Sequence, residues 1–129
     1  MAARRGFNVV DSSAWLEYFF DTAPAADFAA AIEDTEHLIV PVVCLYEVFK
    51  KVHRTHGEDA ALQIAAQMQQ GELIAIDEGL ALEAAKLALP LADSLIYATA
   101  RRFNATVWTQ DQHFDGLAGV RYFAKPSTA

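Results

Sequence analysis

Short apolar runs separated by stretches of helical periodicity restrict this 129-residue chain to an α/β fold. Phe7 to Val10, Leu38 to Val40, Glu72 to Ile76 and Ala105 to Trp108 read as strands, and Val120 to Phe123 as a final edge strand. Helical segments fill the intervals: Ser13 to Phe20, Pro24 to about Asp34, Val42 to His56 closed by Gly57, and Glu58 to Gln70 closed by Gly71. A further helix opens at Asp77 or Glu78, and another, after Pro90, covers Leu91 to Arg102. Leu45, Val48, Phe49 and Val52 recur at the spacing of one helix face, and Ala92, Leu95, Ile96 and Thr99 form a second such stripe. Strands that alternate with helices predict a mostly parallel sheet of four to five strands with helices on both faces, a three-layer α/β/α arrangement. The length suits one domain over residues 1–129, and the sequence has no repeats, low-complexity tracts or linkers.

In such folds the working groups gather beyond the carboxyl ends of the strands. Asp11 follows the first strand and Asp111 the fourth, Glu47 lies in the helix after the second, and Asp93 begins the helix leading into the fourth. Asp115 comes close behind Asp111. Each acid alone has an ordinary explanation. Asp11 and Asp93 suit helix caps or first-turn positions, and Asp111 suits a turn. Glu47 stands four residues before Lys51, a surface pair worth roughly 0.2–0.5 kcal/mol. Brought together, however, carboxylates raise one another's pKa, a cost that a divalent cation removes. Oxygen-only donors suit magnesium or manganese, which bridge to phosphate oxygens. With two ions, one activates water while the other stabilises the leaving oxygen.

Composition limits the alternatives. Seventeen acidic against ten basic residues give a net charge of −7, which argues against gripping nucleic acid by bulk charge, although two divalent cations would more than halve it. The bases cluster as Lys50, Lys51 and Arg54 in one helix and Arg101 and Arg102 in another, either as phosphate contacts or as solvated faces. Cys44 is the single cysteine, flanked by Val43 and Leu45, and reads as a small buried hydrophobe. The four histidines make no zinc-like spacing with it, and of them only His113 stands near the acids. The glycines form no phosphate-binding loop, and Ser12, Ser13 and Ser94 have no evident base. The longest apolar run, Leu38 to Tyr46, is broken by Pro41 and falls short of the roughly 18 residues that cross a bilayer. Arg4 and Arg5 imitate the start of a signal peptide, but Asp11 interrupts its apolar part, so a soluble, cytoplasmic protein is expected.

Four stretches carry a resemblance: VVDSSAWLEYF at Val9 to Phe19, YEVFKK at Tyr46 to Lys51, LPLADSLIYATA at Leu89 to Ala100, and VWTQDQHFDGLAGVRYF at Val107 to Phe123. In this order and at these separations they resemble the motifs of PIN-domain proteins, specifically VapC-type toxins. The resemblance implies a magnesium- or manganese-dependent endoribonuclease that cleaves RNA by metal-activated water, paired with a VapB-type antitoxin and forming a homodimer. It places the metal ligands at Asp11, Asp93, Glu47 and Asp111. Thr109 matches the hydroxyl residue that orients the last acid, and Ser12 or Ser13 the hydroxyl after the first. Many relatives carry a further acid where this chain has His113, and Asp115 is displaced from that position. The aromatics Trp15, Tyr18 and Phe19 fit either an antitoxin or dimer contact or ordinary core packing. The rival class is a non-catalytic PIN-like or receiver-like regulatory module whose acids only cap helices.

Overall fold

The computed structural model describes residues 6–126. Arg4 and Arg5 lie outside the described residues, as do the last three of the tail expected to fray, Lys125 to Ala129. Five strands, β1 (Asn8–Val10), β2 (Leu38–Pro41), β3 (Glu72–Ile74), β4 (Thr106–Thr109) and β5 (Val120–Tyr122), form one sheet in the order β3-β2-β1-β4-β5. Every pairing is parallel. Six α-helices connect them: α1 (Ser12–Phe19), α2 (Ala25–Glu33), α3 (Val42–His56), α4 (Glu58–Met68), α5 (Glu78–Ala85) and α6 (Leu91–Arg102).

Consecutive residues Val9 and Val10, and Leu38, Ile39 and Val40, are all within 2 % of full burial, so both faces of the central strands are covered by helices. The chain steps from β1 to β2 to β3 through α1 to α4, then returns over the sheet to β4 through α5 and α6. With right-handed crossovers, the two directions of travel place their helices on opposite faces, which gives the three layers.

The boundaries differ from the sequence reading for identifiable reasons. Pro41 does not stop β2 one residue early. It has no N–H to donate, yet it holds its place opposite Ile74 as the last strand residue and leads straight into α3. Gly71 is no helix cap, because α4 has already ended at Met68. A Cβ at Gly71 would sit 2.9 Å from the Leu38 carbonyl oxygen and 3.0 Å from Val40 Cγ2, so glycine is required for β3 to approach β2. On α3, Cys44 joins Val48 and Val52 in the core, while Leu45 and Phe49 are half-buried and face α4 across a groove also lined by Leu62. On α6, burial extends beyond the expected stripe to Ser94, Tyr97, Ala98 and Ala100. This helix packs one side on β1, β2 and β4 and the other on α5, where Leu95 and Ala98 meet Leu80 and Ala84.

Candidate metal centre at the carboxyl edge of the sheet

A wholly parallel sheet puts the ends of its strands at one edge, and the acids come to that edge by four routes. Asp11 continues β1: its N–H donates to the Trp108 carbonyl at 3.1 Å, tying it to β4. Its carboxylate caps α1, accepting from the Ala14 N–H at 3.1 Å and from the Ser13 hydroxyl at 3.2 Å. Glu47 lies one turn and a half into α3, and its Oε1 accepts from the Ser12 hydroxyl at 2.6 Å. Asp93 is the third residue of α6, a helix that runs back from this edge. Asp111 starts a short 3-10 turn over Gln112–Phe114 and accepts from the His113 N–H at 2.9 Å. Asp11, Glu47, Asp93 and Asp111 line a single cavity of about 250 Å³ together with Ser12, Ser13, Leu16 and Ile96.

The hydroxyls organise these acids. Thr109, fully buried at the end of β4, accepts from the Asp111 N–H at 2.8 Å, and its hydroxyl also favours the charged form of Asp11, so one side chain acts on two acids. Ser12 and Ser13 divide the work that the sequence left undivided: Ser12 fixes Glu47 and Ser13 fixes Asp11.

The arrangement is electrostatically costly as it stands. Burial pushes the Asp11 carboxyl up to about 7, against the pull of the Ala14 N–H and the Thr109 and Ser13 hydroxyls, and the Asp111 charge adds to the rise. Burial likewise pushes Asp93 up to about 6, helped by the charges of Asp111 and Glu47 and opposed by His113. Asp93, Asp111 and His113 each bring one ligand-type atom within 4.8 Å of the others. The surplus of carboxylates over cationic partners is the donor set that a hard divalent cation fits.

The remaining candidates sit apart. Asp115 is exposed beyond the 3-10 turn and does not line the cavity. Lys50, Lys51 and Arg54 are exposed on α3, with the Lys50 ammonium 5.5 Å from the centre of the Tyr46 ring. Arg101 and Arg102 close α6, about 12 Å along the helix axis from Asp93 and at the opposite edge of the sheet. Arg102 is engaged there by Asp77 through two bonds of 2.9 and 3.0 Å, which hold the Asp77 carboxyl down at about 2. Trp15 is 1 % exposed and belongs to the core, while Tyr18 and Phe19 are half-buried. His113, beside Asp93 and Asp111, is the site residue whose nearness to the acids was legible in the sequence and whose role was not, since the direction of its ring depends on the 3-10 turn.

Fold and site together define a parallel α/β protein with an acidic cavity at the carboxyl edge of its sheet. The chain belongs to the PIN domain family, whose family model matches residues 9–120. Among solved structures the fold is shared by a toxin-antitoxin complex from Klebsiella pneumoniae, with TM-score 0.75 and 19% identity over 92% of this chain and 99% of that one. It is also similar to VapC20 of Mycobacterium tuberculosis, described as a sarcin-ricin loop cleaving toxin, with TM-score 0.71 and 17% identity over 88% and 96% of the two chains. DNA-bound VapBC from Salmonella typhimurium gives TM-score 0.69 and 15% identity over 92% and 98%. No match is found among curated proteins. Among the described residues no helix is long and apolar enough to cross a membrane.

Proposed function

We propose that this chain is a metal-dependent endoribonuclease and the toxin of a toxin-antitoxin pair, acting on RNA, restrained by a VapB-type antitoxin and assembled as a homodimer. The observation that carries the reading is the convergence of four acids from four separate elements on one cavity. Asp93 separates it from a purely capping account. Asp11 and Asp111 do cap helices, but Asp93 caps none, and its side-chain partner among the described residues is His113. Its place in the first turn of α6 gains the modest benefit that a helix dipole gives an acid, set against burial and neighbouring acids that push it up to about 6, and this balance supports a charged ligand at the cavity. The similar solved structures, a sarcin-ricin loop cleaving toxin and complexes of toxin with antitoxin, support the same reading.

Asp11, Glu47, Asp93 and Asp111 would hold a magnesium or manganese ion. When bound, the ion would supply Lewis acidity toward a phosphodiester oxygen and toward a water nucleophile. The chain's own groups do the rest. Thr109 acts on both Asp11 and Asp111, and Ser12 anchors one oxygen of Glu47 so that the other is left to position a water and take its proton. Leu16 and Ile96 form the apolar wall that lowers the local dielectric. Lys50, Lys51 and Arg54 would meet RNA phosphates.

Purified protein incubated with end-labelled RNA and magnesium or manganese is expected to cut it. EDTA and Asp93→Asn are each expected to abolish cutting, and cleavage that persists in both would sink the proposal.

A further inference from the structure

Of the four imidazoles, three are occupied elsewhere: His37 pairs with Asp34, His53 stacks on Phe49, and His56 stacks on Phe20. His113 alone turns a ring nitrogen toward carboxylates of two separate elements, with Nδ1 at 3.1 Å from Asp93 Oδ2 and 3.0 Å from Asp111 Oδ1. Two features go beyond a surface ion pair. One imidazole faces two acids, with Glu47 and Asp11 behind them, so even a protonated ring would leave negative charge uncompensated. The donor atoms of Asp93, Asp111 and His113 also lie within 4.8 Å of one another, close enough for one ion to reach all three. The ring is half-exposed, and a neutral imidazole can place its proton on the outer nitrogen and aim the Nδ1 lone pair inward.

We propose that His113 Nδ1 is a direct ligand of the cation held by Asp93 and Asp111, which makes this a mixed nitrogen and oxygen site that prefers manganese to magnesium. The inference rests on the metal-dependent reading above. Magnesium favours oxygen donors and retained water, whereas an imidazole suits softer first-row ions, so a nitrogen donor strengthens manganese binding more than magnesium binding. His113 is thereby a specificity-determining residue of the site.

The test is metal binding by the purified full chain, read by calorimetric titration with manganese and with magnesium and by pulsed electron paramagnetic resonance of the manganese form. The wild-type spectrum is expected to show hyperfine coupling to one directly bound imidazole nitrogen. His113→Ala should remove it and weaken manganese binding about tenfold or more, with a smaller loss for magnesium. His113→Asp, an oxygen donor at the same place, should also lack the coupling and shift preference toward magnesium. Asp93-dependent manganese binding without nitrogen coupling would overturn the proposal while leaving the nuclease reading intact. So would tighter binding in His113→Ala, the sign that the imidazole is a counter-charge the ion must displace. Manganese binding that is absent, or unchanged in Asp93→Asn, would overturn both.

Discussion

At the scale of the residue, the acids of the cavity carry opposite consequences for stability and for chemistry. Asp93→Asn relieves repulsion, so metal-free protein should be as stable as wild type or more so in urea denaturation, while RNA cleavage falls at least about a hundredfold. Asp11 differs because it also caps α1. Asn can keep that bond, but Asp11→Ala should cost about 1 kcal/mol in the same measurement. The pH dependence follows from the raised values. Folded Asp11 holds its proton up to about 7 and Asp93 up to about 6, whereas the unfolded chain releases both near 3.8. Their contribution is therefore most favourable below the unfolded value, declines as pH rises through the window, and is lost above the folded values. Without metal, the urea midpoint should fall between about pH 4.5 and pH 7.5, and manganese, which needs the ionised forms, should raise it most at the upper end. The sequence located Asp11 and Asp111 because an apolar run followed by a carboxylate marks a strand end, and Glu47 and Asp93 because they lie in helices that leave or lead into a strand. It could not pair Ser12 with Glu47 across 35 residues, because that bond depends on how α1 and α3 meet.

At the scale of the element, the 3-10 turn after β4 has the largest leverage. It holds Asp111 and His113 on one side and is anchored on the other by Phe114, which is fully buried beside Tyr97. Phe114→Ala should cost about 3–5 kcal/mol by thermal or urea denaturation, and a Phe114→Leu variant, which refills most of the space, should recover much of the stability. Gly71→Ala should destabilise by about 1–3 kcal/mol through contact with the β2 backbone. The elements themselves were largely readable, because strands buried on both faces are short β-branched runs and the segments between them carry helical periodicity, with Gly57 closing α3 and Pro90 preceding α6. The burial of α6 was not readable from one stripe. A helix covered by the sheet on one side and α5 on the other needs apolar or small residues almost all round, and a single periodicity does not describe that.

At the scale of the whole molecule, attack by water predicts that replacing the ribose at the cleaved position by deoxyribose leaves metal-dependent cleavage in place, as checked by gel analysis of a substituted oligonucleotide. Complete loss would mean that the 2′-hydroxyl is the nucleophile. Strand order has a further consequence in time. The central strand β1, with Asp11 at its end, is made early, yet its partner β4 is made nearly 100 residues later, and Asp93 and Asp111 flank that late strand. The cavity cannot exist in a chain still under synthesis that has not yet released β4. On the nuclease reading proposed above, the order of the strands alone would keep an unfinished product from cutting RNA beside the ribosome that makes it.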